Sequence, residues 1–234
     1  MKRKLMFIYA HPDDETFASG GTIARYALQS DCEIVLFCAT RGEAGKPGNP
    51  PLCTQEELGE VRSRELEAAA QVLGIDRVIL RDYGDGRLSR IPFQQLVDEI
   101  ARQIQLEAPQ AVVTFPPHGI SGHPDHQVIQ RATREALTRL DDELKIHLYY
   151  TVIPESDSPL PGVHTTPLSE VTHRVEVTPF RRQIMNALQQ HRTQHLSSQR
   201  AFPGVWEGDW KSIRQTEYYQ IINAPAGITG TELI

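Results

Sequence analysis

Five short apolar runs recur along the chain, each followed by a loop and then a segment of helical periodicity. They occupy residues 5–10, 33–39, 77–80, 111–115 and 146–152. Runs of this length without polar alternation mark strands buried on both faces of a parallel sheet. The intervening segments predict the covering helices: Gly20-Gly21-Thr22 to about Ser30, then 55–73 with Gly74 as the stop, 92–106 and 124–140. The alternation predicts a Rossmann-like three-layer α/β sandwich with a mostly parallel central sheet. A length of 234 residues suits one such unit, so 1–234 is expected to be a single domain.

Beyond Pro154 the rhythm changes. Residues 156–166 are rich in Pro, Gly and Ser and predict a loop or lid, and 171–177 an edge strand that resumes the sheet. A helix is expected over 179–191, a Gly/Trp loop over 201–209 and a short closing strand or extended segment over 217–222. The part from about residue 155 is therefore expected to complete a pocket. Trp206 and Trp210 are expected to pack there.

Two polar clusters stand where strands are predicted to end. His11-Pro12-Asp13-Asp14-Glu15 follows the first apolar run, and Gly122-His123-Pro124-Asp125-His126 follows the fourth. Open α/β sheets build their sites in the crevice beyond the carboxyl ends of neighbouring strands. Imidazoles and carboxylates meeting there predict a metal site, because zinc takes nitrogen, oxygen or sulfur ligands and a catalytic site keeps one position for water. The clusters offer more groups than three ligand positions need. The surplus suits a base for the attacking water, a donor to an oxyanion, and an acid that orients a ligating imidazole. These residues alone describe metal-activated hydrolysis at a carbonyl or phosphoryl centre and do not choose between the two. Singly, each has a plainer use as a helix cap or a solvated turn residue. Gly20-Gly21 lacks the Gly-x-Gly-x-x-Gly spacing of a dinucleotide site, and the acids before it would repel a pyrophosphate.

Composition narrows the partners. A formal net charge of −6 gives no footprint for nucleic acid or an anionic membrane. No apolar run approaches a membrane span, and the run after Met1-Lys2-Arg3-Lys4 is broken at His11-Pro12, so a buried first strand is expected there. Cytoplasmic residence is the default. Cys32, Cys38 and Cys53 form no CxxC pair and are expected to be spectator thiols.

The two clusters resemble the paired signatures of the LmbE-like, or PIG-L-like, zinc-dependent N-acetylglucosaminyl deacetylases. The similarity extends to Gly20-Gly21-Thr22, Thr40-Arg41-Gly42-Glu43, Arg62 with Glu65, Asp85-Gly86 and His191-Arg192-Thr193-Gln194. In length and in the run Gly119-Ile120-Ser121-Gly122-His123-Pro124-Asp125-His126, the chain is most similar to bacterial thiol-biosynthesis deacetylases, including those of bacillithiol. The resemblance implies one zinc ion per chain held by His11, Asp14 and His126, with other divalent metals able to take its place. It implies Asp13 as general base, His123 facing the carbonyl oxygen and, if protonated, stabilising the oxyanion, and Asp125 behind His123. It makes Arg62 a grip for sugar hydroxyls, gives His191 a place late in the pocket, and leaves Glu43 and Glu15 as loop-fixing or supporting groups. From the sequence alone, Arg62 would instead pair with Glu65 or Glu67 on a solvated helix face.

Relatives that act on mycothiol precursors carry an aromatic hydroxyl two residues before the position of His123. Here that position is Ser121, which shifts electrophilic work to the metal and His123 and weakens a mycothiol assignment. The implied reaction is removal of acetate from an N-acetylglucosaminyl conjugate, with N-acetylglucosaminyl malate of the bacillithiol pathway expected first. Two alternatives stay open: a thiol S-conjugate amidase or deacetylase of another N-acetyl sugar or amide, and a non-catalytic sugar-binding member. The expected partner is a small N-acetylated amino sugar. Family members often form homo-oligomers, and nothing in this sequence fixes a number.

Overall fold

A computed structural model describes residues 2–140, 145–157, 161–225 and 227–234. Seven strands, β1 (Arg3–Tyr9), β2 (Cys32–Cys38), β3 (Arg77–Leu80), β4 (Ala111–Thr114), β5 (His147–Val152), β6 (His173–Glu176) and β7 (Thr216–Ile221), form one sheet. Their order is β3-β2-β1-β4-β5-β7-β6. The first five strands are parallel, with Leu5 of β1 opposite Ile34 of β2 on one side and Ala111 of β4 on the other. β7 runs antiparallel to both of its neighbours.

Residues 5–10 are fully buried, as an apolar run between two helical layers must be. Each large side chain among them contributes about 1.5–3 kcal/mol by leaving water. One face is covered by α1 (Asp14–Ala27), α2 (Leu58–Leu73) and α6 (Arg181–Leu188), which pack on one another. α3 (Phe93–Glu107) and α5 (Pro124–Arg139) pack together on the other, and the short α4 (Gly119–Gly122) precedes α5. The mostly parallel three-layer sandwich expected from the sequence is the fold. No helix among the described residues is long and apolar enough to cross a membrane.

The departures from expectation have local causes. α1 begins at Asp14, six residues ahead of the expected Gly20 start, with Asp14 and Glu15 in its first turn, where acids favour the helix dipole. It breaks at Ser19 (φ −147°, ψ 18°), and the freed N–H groups of Gly21 and Thr22 donate to the Glu217 carboxylate at 2.8 Å each. Gly20-Gly21 thus opens only the second half of the helix. Gly21 has to be glycine because a Cβ there would meet Val177 Cβ at 2.4 Å.

α2 starts at Leu58, after a capping box in which Thr54 N–H donates to Glu57 (3.0 Å) and Glu57 N–H to Thr54 Oγ1 (3.3 Å). The helix expected over 179–191 is shorter, and α7 (His195–Ala201) lies where none was expected. The edge strand is β6, as expected, but β7 does not close the sheet: it is inserted between β5 and β6. Of the loop expected over 156–166, Ser158, Pro159 and Leu160 lie outside the described residues. Its neck is closed by Thr166 N–H donating to Ile153 O at 2.8 Å.

Candidate metal centre

β1 and β4 are adjacent, and the chain leaves them toward opposite flanks, β2 lying beyond β1 and β5 beyond β4. This is the switch point of an open sheet, and both polar clusters emerge there. His11, Asp14 and His126 are buried side by side. His11 Nδ1 lies 3.2 Å from His126 Nε2, Asp14 Oδ2 lies 3.5 Å from His11 Nδ1, and Asp14 Oδ1 lies 3.3 Å from His126 Nε2. Ligands at about 2.0–2.1 Å in a tetrahedron are about 3.3 Å apart. The two imidazole nitrogens have that spacing, and Asp14 offers a different oxygen to each, its Oδ2 also accepting the N–H groups of His11 at 2.8 Å and Ala10 at 3.2 Å.

The outer hydrogen bonds tighten this inference. His126 Nδ1 donates to the Gly119 carbonyl at 2.9 Å. His11 Nε2 donates toward Asp85 Oδ1 at 3.0 Å and Asp125 Oδ2 at 3.3 Å. With the far nitrogens donating, His11 Nδ1 and His126 Nε2 present lone pairs to each other beside a carboxylate. Such a trio is held together by a cation, a metal or a proton. The proton affinities express the same demand. Burial opposes charge on His11, yet Asp125, Asp14 and Asp85 hold its pKa well above the usual range. Burial likewise opposes charge on His126, and Asp14 outweighs it. Burial disfavours the Asp14 carboxylate, but His126 and His11 hold its pKa well below the usual range.

Two other groupings have metal-ligand spacing: His11, His123 and His126, and His11, Asp85 and Asp125, each with donor atoms within 4.8 Å of one another. In the first, His123 Nδ1 already accepts the Asp125 N–H at 3.2 Å. In the second, both carboxylates face the proton of one imidazole and also accept backbone N–H groups, Asp125 from Gly86 and Leu88 and Asp85 from Ala44. The trio with Asp14 has no such prior engagement of its imidazole lone pairs.

Asp13 lines the same cavity in a left-handed backbone conformation, φ 106°, that few side chains tolerate. Its N–H donates to Glu15 Oε2 at 3.0 Å, and its Oδ2 lies 3.3 Å from Arg62 Nη2. Burial raises its pKa to about 6; Arg62 opposes the rise and Asp14 adds to it. His123 also lines the cavity. Burial, then His11 and His126, hold its pKa below the usual range, so the ring is neutral; with Nδ1 accepting, its proton sits on Nε2. The condition attached to the oxyanion role, a protonated ring, is not needed for His123 to donate a hydrogen bond.

Several supporting residues sit elsewhere than expected. The Asp125 carboxylate faces His11, not His123. Arg62 is buried and pairs with neither Glu65 nor Glu67. Its guanidinium donates to the carbonyls of Gly42 (2.7 Å) and Pro12, beside Asp13. The 42–45 loop wraps it so closely that a Cβ on Gly42 or Gly45 would lie 2.3 or 2.8 Å from Nη1. Glu43 accepts the Asp85 N–H at 2.7 Å and so braces that loop. His191 is fully buried against Glu15, Nε2 to Oε1 2.8 Å, out of reach of a cavity ligand.

Ser121 lines the cavity, its Oγ 3.4 Å from His126 Nδ1. Asp85, quoted in the resemblance but given no role there, is the nearer of the two acids on His11; its signal was the Gly84-Asp85-Gly86 turn after a predicted strand.

Residues 6–137 match the family model described as PIG-L, GlcNAc-PI de-N-acetylase. The chain is 29% identical over 194 residues to the probable N-acetyl-alpha-D-glucosaminyl L-malate deacetylase 2 of Bacillus anthracis, with 82% of each chain covered. It is 30% identical over 270 aligned positions to the 1D-myo-inositol 2-acetamido-2-deoxy-alpha-D-glucopyranoside deacetylase of Thermobifida fusca, covering 95% of this chain and 94% of the relative. Among solved structures, the N,N'-diacetylchitobiose deacetylase of Pyrococcus horikoshii shares the fold, with a TM-score of 0.71 at 19% identity over 94% of this chain and 84% of that one.

Proposed function

Because the chain belongs to the PIG-L (GlcNAc-PI de-N-acetylase) family, we propose that it hydrolyses the acetamide of an N-acetylglucosaminyl conjugate to acetate and a free amine. The observation that carries this reading is the His11–Asp14–His126 trio, with the unpartnered lone pairs of its imidazoles and Asp13 beside it on the cavity floor. His11, Asp14 and His126 would hold a divalent metal, zinc first by the nature of the donors, and when bound it would supply Lewis-acid polarisation of the acetyl carbonyl and a lowered pKa for the attacking water.

The chain's own groups do the rest. Asp13 accepts the proton of the water as its oxygen bonds to the acetyl carbon. It then passes that proton to the sugar nitrogen as the C–N bond breaks. Arg62 holds Asp13 in place through the Pro12 carbonyl and an ion pair. His123, neutral with its proton on Nε2, donates to the carbonyl oxygen as negative charge develops there. Asp85 and Asp125 fix the tautomer of His11.

The relatives' names include a malate and an inositol conjugate, and the acetamide chemistry is common to both. The malate conjugate, expected for bacillithiol synthesis, is the first to assay. Metal-reconstituted protein is expected to release acetate from it, chelator is expected to abolish release, and His126→Ala is expected to lower metal occupancy. No acetate from N-acetylglucosamine or either conjugate, with one metal bound per chain, refutes the reading and leaves a non-catalytic binder. Cleavage of a thiol S-conjugate alone assigns an amidase instead.

A further inference from the structure

The cavity above the trio measures about 850 Å³, toward the upper end of the range of about 300–1,000 Å³ for small-molecule sites. It has room for more than the acetamide and its sugar ring. Two parts of the chain build it. The floor, with His11, Asp13, Asp14, His123 and His126, lies within residues 6–137, the stretch matched by the family. Much of the outer wall comes from beyond that stretch: Val152 and Ile153 at the end of β5, Arg200 and Phe202 around α7, and Arg214 and Tyr218 at β7.

The two parts differ in charge balance. Each carboxylate of the floor faces a cationic or imidazole group: Asp13 faces Arg62, Asp14 faces His126 and His11, and Asp85 faces His11. The two guanidiniums of the wall have no carboxylate within ion-pair distance among the described residues. Arg200 is exposed and donates to the Pro161 carbonyl at 3.1 Å. Arg214 is half-buried, its guanidinium 5.5 Å over the Phe202 ring, and Phe202 packs on Phe17 at 5.8 Å between ring centroids. The ring attracts the cation without using its N–H groups, and the Arg214 side chain makes no hydrogen bond among the described residues. One carboxylate, Asp157, also lines the cavity, and its side chain accepts the Ser156 hydroxyl at 3.3 Å.

A neutral acetamido sugar offers these two cations hydroxyl oxygens but leaves their charge unmatched. An anionic group on the far side of the sugar matches it, and a partly desolvated guanidinium meets carboxylate or phosphate oxygens through two parallel hydrogen bonds.

We propose that Arg214, with Arg200 at the rim, is an anion subsite that selects conjugates whose aglycone carries a carboxylate or phosphate over those with a neutral aglycone. The proposal rests on the deacetylase reading above. Its test is kcat/KM for acetate release by the metal-loaded full chain on three glycosides of N-acetylglucosamine: methyl, malyl and glycerophosphoryl. Wild type, Arg214→Gln and Arg214→Lys are compared, with Arg200→Gln as a second, exposed site.

Wild type is expected to prefer an anionic glycoside over the methyl glycoside by about 10- to 100-fold, the value of a charged hydrogen bond. Arg214→Gln should collapse that ratio to within about threefold, chiefly through KM, and Arg214→Lys should recover part of it. The glycoside most affected identifies the anion as carboxylate or phosphate. Equal kcat/KM for all three in wild type, or a Gln variant that loses every glycoside by one factor, overturns the proposal. No acetate from any glycoside refutes the deacetylase reading instead. The subsite is then judged by calorimetric titration of malate and glycerophosphate, and binding that Arg214→Gln does not weaken overturns it.

Discussion

Asp13→Asn separates what the base contributes to turnover from what it does to stability. Asparagine tolerates the left-handed backbone about as well as aspartate, and Arg62 keeps its bonds to the Gly42 and Pro12 carbonyls. Burial, opposed by Arg62 and reinforced by Asp14, lifts the Asp13 pKa from 3.8 to about 6. At 1.36 kcal/mol per unit, that shift makes the ionised side chain a burden on the fold of up to about 3 kcal/mol. A raised carboxyl pKa means the folded state binds the extra proton between these two values. The Asp13 contribution to wild-type stability therefore falls as pH rises through that window, and the neutral variant lacks this loss.

Urea denaturation of chelated protein at pH 4 and pH 7.5 measures it. Asp13→Asn should match wild type near pH 4 and exceed it by up to about 3 kcal/mol at pH 7.5. The advantage should shrink when metal is bound, because the cation favours the carboxylate. Turnover of the same variant should drop by about 10²- to 10⁴-fold with metal retained. A variant whose stability relative to wild type is the same at both pH values refutes the burial argument, and one with wild-type turnover removes Asp13 as the base.

Other perturbations follow from the same geometry. Asp125→Asn, which loosens the hold on His11 Nε2, should weaken metal affinity by about 10- to 100-fold in competition with a chelator; unchanged affinity refutes the orienting role. Because His11 and His126 hold protons tightly, metal binding should release protons and weaken on acidification, which calorimetry in buffers of different ionisation enthalpy detects. In the loaded enzyme, kcat/KM should fall with decreasing pH through a limb at or below about 6, since the cation opposes the effect of burial on Asp13. Gly21→Ala drives a Cβ into Val177 and should destabilise the fold by about 1–3 kcal/mol in denaturant titration, although alanine ordinarily favours a helix; a gain in stability refutes the close packing.

The strands were legible because residues 5–10 and 34–38 have only one comfortable place, between two layers of helices. The convergence of the two clusters was legible too, since parallel order fixes which ends of β1 and β4 lie together. Partnerships made by side chains across loops were not. The sequence places Asp125 two residues from His123, yet the chain turns its carboxylate toward His11, more than a hundred residues away. Arg62 has helical spacing from Glu65, but the glycines at 42 and 45 open a cradle that draws it inward, and Glu65 binds Thr193 instead. His191 reads as a pocket residue until the burial of Glu15 is known. The place of β7 between β5 and β6 was not legible, because antiparallel insertion leaves no mark on the strand itself.

The break in α1 at Ser19 has a consequence in time. The N–H groups it exposes are satisfied by Glu217, 196 and 195 positions further along the chain, and the Tyr219 hydroxyl bonds Ser19 and Thr22 beside it. The helix that carries Asp14 therefore reaches its final shape only once β7 is in place between β5 and β6. Contacts of such sequence separation form late, because a long loop must close before they contribute anything. The helix end that carries Asp14 is then completed by a long-range contact, and the two histidine clusters reach their final geometry only with it.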